Sequence, residues 1–360
     1  MPEPLAAGVL GATGLAGQQV LNALADHPFI RVRAVAASDA STGKTLGEAL
    51  TGPSGQSRWY ADGAPDEATL GLRCLGAADL GRDGLDVIFS AVEKEVALEW
   101  EPRLAERTPV ISTASAFRYE PDVPLLIPGI NNAHAEALDD QRRRRRWKGF
   151  IAPIPNCTTT GLAVSLRPLH DRFGVTRVLM TSLQAVSGAG RSGGVLALDV
   201  IDNVIPYIPG EEEKVERETR KILGSWNGTF EPAAFAVSCT CTRVNVQEGH
   251  TEAVYAATDR PCRADDAIAA MEAFRGDGLA GLPSAPERLL RVDRDPYRPQ
   301  PRRDRDAGAG MTVTVGRVRD EAVLGGVKYV VLSHNTKLGA GKGAVLLAEW
   351  LTREGYVGRA

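Results

Sequence analysis

Of five cysteines in the chain, Cys157 has neighbours of a kind that a reactive thiol needs. It stands in Pro155-Asn-Cys-Thr-Thr-Thr-Gly161, ahead of apolar positions Leu162, Val164, Leu166 and Leu169 that repeat with helical spacing. Thr158 to Thr160 are candidate N-cap residues, which places Cys157 at a helix N-terminus. A helix N-terminus lowers a thiol pKa and offers N–H donors to a developing oxyanion. The competing reading is an inert buried cysteine, but an asparagine and three threonines are poor core neighbours. Cys74, Cys239, Cys241 and Cys262 lack this setting, and Cys239 and Cys241, two apart on an expected strand with no histidine nearby, do not make a metal site. A thiolate nucleophile wants a partner titrating near neutrality. His250, in Arg243-Val-Asn-Val-Gln-Glu-Gly-His250, follows a strand and a glycine turn and is the candidate. His27 and His170, beside Pro28 and Asp171 at helix ends, read as surface residues.

A second chemical feature is the turn Gly11-Ala-Thr-Gly14-Leu-Ala-Gly17. It follows a short apolar strand and precedes a helical segment. Glycines there let the backbone approach a pyrophosphate while the helix N-terminus supplies donors. The position that reads a ribose falls near Ser38, followed by Asp39, Ser41 and Lys44. Two hydroxyls and a lysine suit a 2′-phosphate better than a bare diol, so the pattern favours NADP over NAD, with Asp39 as the one opposing residue.

Two domains are needed to hold these groups. Strand 5–10, the turn, helix 18–25 and strand 31–37 make a βαβ unit, and apolar runs at 86–91 and 109–112 extend a parallel sheet. Over 178–333 strand signals dominate, including 311–318 and 328–332, which predicts an α+β domain with a largely antiparallel sheet. An amphipathic helix over 340–352 is expected to return to the first domain, bringing Asn335 and Gly339 near the cleft. The fold class is α/β, with a Rossmann-type dinucleotide-binding domain over 1–152, completed by 335–360, and a second domain over 153–334. The segment 293–309, rich in charge and proline, reads as an extended loop, and Arg142 to Arg146 as a solvated face or turn.

Composition narrows the partners. The chain has 360 residues, 43% hydrophobic, with 42 Lys+Arg against 45 Asp+Glu and a net charge of −3, which gives no electrostatic reason to expect nucleic acid. No apolar run approaches the ~18 residues of a membrane span, and the N-terminus lacks the basic and apolar regions of a secretory signal. An odd, scattered set of cysteines argues against a disulfide framework. These features predict a cytoplasmic protein acting on a small molecule.

Taken together the motifs resemble the aspartate-β-semialdehyde dehydrogenases, in the branch shared by archaea, fungi and some bacteria. Gly11-Ala-Thr-Gly14, Asn156-Cys-Thr-Thr-Thr-Gly161, Gln184-Ala-Val-Ser-Gly-Ala-Gly190, the segment Asp202 to Lys214, Gly249-His-Thr-Glu252, Arg298-Pro-Gln-Pro-Arg302 and His334-Asn-Thr336 carry the resemblance. It implies that the second domain is catalytic and dimerising, with a homodimer or homotetramer as the assembly. It further implies Cys157 as nucleophile, His250 as acid/base and Gln184 as the residue orienting substrate. Arg243 would clamp a carboxylate, Glu211 an ammonium, and Lys214 with Arg118 a phosphate, beside Asn156. Gly11, Thr13, Gly14, Leu15, Ala16, Ser38, Ser41, Lys44, Ser187, Gly188 and Asn335 would contact NADP, Asn335 through the nicotinamide carboxamide. Departures from the family pattern are Thr158 for Ser, Thr113 for Asn, Gly129 for Glu, Ala40 for a basic residue, Arg191-Ser-Gly193 for Tyr-Pro-Gly, and Gly341-Lys-Gly343 for Ala-Gly-Gly.

The implied reaction is reversible reductive dephosphorylation of L-aspartyl 4-phosphate through a cysteine thioester, a step toward lysine, threonine and methionine. Two other readings stand beside it. A related reductase of another acyl phosphate or an acyl-CoA, malonyl-CoA reductase-like, would keep Cys157 and His250 without needing Glu211. A non-catalytic nucleotide-binding regulator would have lost the cysteine, histidine or arginine, and this chain retains all three.

Overall fold

The computed structural model describes residues 3–81, 84–190 and 197–358, so the Arg191-Ser-Gly193 departure lies outside the described residues. The first sheet contains β1 (Leu5–Leu10), β2 (Ile30–Ala36), β3 (Cys74–Leu75), β4 (Val87–Ser90), β5 (Val110–Ser112) and β6 (Ile151–Pro153). All five pairings are parallel, in the order β3-β2-β1-β4-β5-β6. β4 and β5 are buried along their whole length, which is why their sequences read as unbroken apolar runs. Chain order reverses between β1 and β4, and an open α/β sheet binds its ligand beyond the strand ends at such a point. The Gly11 turn sits there.

The second sheet is built from β7 (Val175–Gln184), β8 (Val204–Ile205), β11 (Ala236–Val244), β12 (His250–Thr258), β13 (Leu290–Asp293), β14 (Val313–Glu321) and β15 (Gly326–Ser333), with a small hairpin, β9 (Ser225–Trp226) and β10 (Phe230–Glu231), outside it. Its order is β13-β14-β15-β12-β7-β11-β8. Only β7/β11 and β13/β14 pair in parallel, so the sheet is mixed and largely antiparallel. β7 alternates: Val178, Met180, Ser182 and Gln184 face inward, while Leu179 and Leu183 stand on the opposite face with Tyr255. Helices Cys157–Phe173 and Glu211–Ile222 cover the inward face.

The last helix, Gly341–Arg353, packs on helix Leu15–Leu24. The approach is close enough that a Cβ on Gly341 would lie 2.6 Å from both Gln19 Cβ and Val20 N. This return corrects one expectation. His27 is buried rather than on the surface, because Glu349 of the last helix sets a carboxylate 2.9 Å from its Nε2 while Ile30 N–H donates to its Nδ1. His170 is likewise half-buried, its ring against Phe235.

The arginine run forms the end of helix Ala137–Arg145, with Arg146 left-handed behind it. Arg143 and Arg144 pair with Asp140, Arg145 with Asp122 and Glu120, and Arg142 donates to the Tyr356 carbonyl. With Arg142 also paired to Asp139, the positive charge of Arg142 to Arg145 is matched within the chain. The segment 293–309 is more ordered than a loop. Helix Pro301–Asp304 ends in the buried carboxylate of Asp304, which accepts from Arg291, Arg298 and the Gln300 N–H, and a kinked turn follows at Ala307–Gly310. Among the described residues no helix is long and apolar enough to cross a membrane.

Gly341→Ala tests the helix contact. The added carbon meets backbone atoms, which cannot move aside as a flexible side chain would, so stability should fall by about 1–3 kcal/mol. Chemical denaturation measures this, and an unshifted midpoint would contradict the close packing.

Candidate active site

Local chemistry at residue 156 decides where the thiol lies. Asn156 is the N-cap of helix Cys157–Phe173, its Oδ1 accepting from the N–H groups of Thr158 (2.8 Å) and Thr159 (3.2 Å). Cys157 is therefore the first helical residue, at the helix N-terminus that the sequence predicts but capped by Asn156 rather than by Thr158 to Thr160, and its sulfur is partly buried. Gly339 comes in behind it, where a Cβ would be 2.7 Å from Cys157 Cβ. Across the domain, β12 begins at His250, which is wholly buried, and His250 Nε2 lies 3.2 Å from Cys157 Sγ. The Ala185 N–H donates to His250 Nδ1 at 3.1 Å, so that nitrogen acts as acceptor and the neutral ring carries its proton on Nε2, facing sulfur.

Cys157 opens into a cleft of about 490 Å³ that Arg118, Asn156, Gly188, Glu211, Lys214 and Arg243 help to line, together with Val92 to Lys94 and Thr113 to Ser115 from just beyond β4 and β5. Glu211, the first residue of its helix, puts Oε1 within reach of Asn156 Nδ2 (2.9 Å) and Gln184 Nε2 (3.2 Å), with Lys214 Nζ 3.7 Å from Oε2. Arg243, at the end of β11, donates from Nη1 to the Ala185 carbonyl at 2.7 Å. Gly188 is small for a reason visible here, since a Cβ would stand 2.9 Å from that Nη1 and 3.0 Å from His250 Cε1. Arg118 enters from the first domain, bound to Glu218 and to the Thr113 carbonyl.

The expected cofactor residues fall into three groups. Gly11 has φ +83°, and a Cβ there would be 2.4 Å from the Ala91 carbonyl oxygen, so only glycine fits beside the cleft wall. Gly14 is the N-cap of helix Leu15–Leu24 and offers no side-chain cap, which leaves the first N–H groups, at Leu15 and Ala16 beyond Thr13, open to an anion. That cradle fits a pyrophosphate. Ser38, Ser41 and Lys44 lie apart, past the end of β2, with Lys44 Nζ resting on the Ala40 carbonyl at 2.8 Å. Asn335 is tied at both ends, its Oδ1 accepting from the Gly249 N–H (2.8 Å) and its Nδ2 donating to Ser187 Oγ (2.8 Å).

One electrostatic expectation is reversed. Burial pushes the Cys157 thiol up to about 12, with Glu211 adding to the shift, and Arg243, Arg118 and the Thr158 N–H offset only part of it. Burial, then Arg243 and His334, push His250 down to about 3. The helix N-terminus acts in the expected direction but is outweighed, so the resting pair is an uncharged thiol beside an uncharged imidazole.

Glu218 escaped the sequence reading. Its carboxylate is wholly buried and accepts from Arg118, from Tyr119 Oη and from the Asn156 N–H. The available signal was spacing: Glu211, Lys214, Glu218 and Lys221 recur three or four residues apart and share one helix face.

Two family models match the chain: the NAD binding domain of semialdehyde dehydrogenases over residues 6–138, and their dimerisation domain over 166–338. The aspartate-semialdehyde dehydrogenase of Methanothermobacter thermautotrophicus is 43% identical, over 95% of this chain and 97% of its own. That of Archaeoglobus fulgidus is 44% identical, over 96% and 98%. Among solved structures, the Candida albicans aspartate semialdehyde dehydrogenase with NADP superposes with a TM-score of 0.85 at 36% identity, covering 97% of this chain and 98% of that one. A second, from Vibrio cholerae and complexed with ASA, gives 0.76 at 27% identity, covering 98% and 99%.

The protonation state is open to test by alkylation with iodoacetamide. Cys157 should react before the other four cysteines, all of which are buried. With a pKa near 12, its rate should keep rising about tenfold per unit from about pH 7 to about pH 9. A plateau within that range would show a thiolate already formed.

Proposed function

Because the chain belongs to the aspartate-semialdehyde dehydrogenase family, we propose that the residues gathered around Cys157 carry that family's chemistry in named roles. The reaction is the reversible, NADP-dependent reductive dephosphorylation of L-aspartyl 4-phosphate to L-aspartate 4-semialdehyde, a step of amino-acid biosynthesis. The observation that carries the assignment of roles is the 3.2 Å contact between Cys157 Sγ and His250 Nε2 at a helix N-terminus, inside a cleft lined by Arg118, Glu211 and Arg243.

The sulfur of Cys157 attacks the acyl carbon, the S–C bond forms as the bond from that carbon to the phosphate oxygen breaks, and the thiol proton leaves on the departing phosphate, giving a thioester. Arg118 and Lys214 hold the phosphate, one by its planar fork and the other as a point charge. Arg243 binds the α-carboxylate and Glu211 the α-ammonium, while Gln184 and Asn156, both hydrogen-bonded to Glu211, fix the direction of that carboxylate. Bound NADPH supplies the hydride that reduces the thioester. His250 Nε2–H, in the position the Ala185 N–H sets, donates a hydrogen bond to the substrate oxygen that hydride transfer leaves negative; as that oxygen re-forms the carbonyl the C–S bond breaks and the sulfur takes up a proton from solvent. The Gly11–Ala16 turn would hold the pyrophosphate, Ser38, Ser41 and Lys44 the 2′-phosphate, and Ser187, Gly188 and Asn335 the nicotinamide end.

Glu211 favours this substrate over an acyl-CoA. A carboxylate buried at the cleft floor is costly without a cation. Lys214 reaches it only at 3.7 Å, and an α-ammonium would complete the pairing, which a malonyl-CoA-type substrate would not. The retained thiol–imidazole pair speaks against a regulator without catalysis. The domain boundaries of the reading are 1–152 with 335–360, and 153–334. A second copy would pack on the uncovered face of the second sheet, where Leu179, Leu183 and Tyr255 are exposed. Five free thiols suit a reducing, cytoplasmic setting.

The test is phosphate-dependent reduction of NADP by the recombinant chain with L-aspartate 4-semialdehyde. Activity with phosphate and none with coenzyme A supports the reading, and the reverse preference overturns it. In the same assay Arg243→Lys should lower kcat/KM by roughly tenfold or more without shifting the unfolding midpoint, because an ammonium cannot reproduce a two-pronged contact. An unchanged kcat/KM would place the carboxylate elsewhere.

A further inference from the structure

We propose that Glu218 is a positioning residue for this reaction, one buried carboxylate that sets the phosphate-facing guanidinium of Arg118 and the backbone immediately before Cys157 at the same time. The inference rests on the proposed role of Arg118 toward phosphate. Glu218 Oε1 accepts from Arg118 Nη1 at 3.0 Å and from Tyr119 Oη at 3.3 Å, and Oε2 accepts from the Asn156 N–H at 2.6 Å. Asn156 belongs to the junction that leads into the Cys157 helix, whereas Arg118 and Tyr119 follow β5 of the first sheet. One side chain therefore ties the group that receives phosphate to the group that attacks the acyl carbon.

Three residues along the same helix face, Lys221 grips the Arg118 segment from its other side. Its Nζ donates to the carbonyls of Arg118 (2.9 Å), Glu120 (3.3 Å) and Val123 (2.7 Å). The guanidinium of Arg118 is thus held through its side chain by Glu218 and through its backbone by Lys221. Two of its donors, one on Nη1 and one on Nη2, are committed to Glu218 and the Thr113 carbonyl, which fixes the plane of the guanidinium at the cleft, with Nε buried behind it. Hydrogen bonds to a buried charge are among the stronger ones, and removing the charge leaves donors facing nothing.

A glutamine at this position carries a single acceptor oxygen. It can satisfy Arg118 or the Asn156 N–H, and its own NH2 then faces the donor it does not satisfy. Both functional groups lose definition, so the effect is specific in a way that general loosening is not. In the phosphorylating direction inorganic phosphate is a substrate with its own KM, which separates the phosphate site from the cofactor site.

The experiment measures KM for inorganic phosphate, KM for NADP, kcat and the iodoacetamide rate of Cys157 in Glu218→Gln, Glu218→Asp and Arg118→Ala. The expected result for Glu218→Gln is a rise in KM for phosphate of about tenfold or more, a lower kcat and a changed alkylation rate, with KM for NADP within about twofold of the parent. In the double variant with Arg118→Ala the further rise in KM for phosphate should vanish. Should the glutamine variant not fold, Glu218→Asp, which keeps the charge but shortens the reach, decides on the same criterion. A folded variant with unchanged KM for phosphate and unchanged alkylation rate would overturn the proposal. If Arg118→Ala itself leaves KM for phosphate unchanged, the role given to Arg118 is what fails.

Discussion

Every polar atom of Asn156 has a partner within the chain, and this commitment is what brings a sulfur to the cleft. Its Oδ1 caps the helix that starts with Cys157, its Nδ2 reaches Glu211, and its N–H is taken by Glu218. Its carbonyl accepts from Thr160 N–H. Remove the cap and the first turn of the helix loses its start. Remove the acceptors on helix Glu211–Ile222 and the junction loses its direction. The substrate groups inherit their positions from this residue, because the same helix that receives Asn156 carries Glu211, Lys214 and the carboxylate that holds Arg118.

The second governing fact is electrostatic. Two cationic side chains and a helix N-terminus surround the thiol, yet burial and the nearby Glu211 carboxylate keep it protonated. A neutral pair is less costly to bury than an ion pair, and it protects the sulfur until a substrate arrives. A bound α-ammonium would offset Glu211, the smaller of these two effects, and leave the desolvation in place.

Much of this was legible in the chain, and the limits have physical causes. The glycine turn, the strands and the helix at Cys157 are local features, set by side-chain period and by residues adjacent in sequence, and they are observed as expected. His27 was misread because the carboxylate that buries it comes from Glu349, 322 residues away. The thiol pKa was misjudged in direction because the helix terminus is visible in sequence and the desolvation is not. Glu218 stood in a run of acidic and basic residues that resembles a solvated helix, and only the packed structure shows which face is covered. Ser38, Ser41 and Lys44 lie beyond the end of β2 and outside the lining of the cleft around Cys157, so their residue types were readable in the chain and their distance from the thiol was not.

The central claim is that Cys157 forms a covalent thioester. Mixing the protein with L-aspartate 4-semialdehyde and NADP in the absence of phosphate, quenching in acid and locating the added mass by peptide mass spectrometry tests it directly. The account requires a burst of one NADPH per site, matched by one aspartyl group on the peptide containing Cys157. NADPH formed without any adduct, or an adduct on another residue, would contradict it.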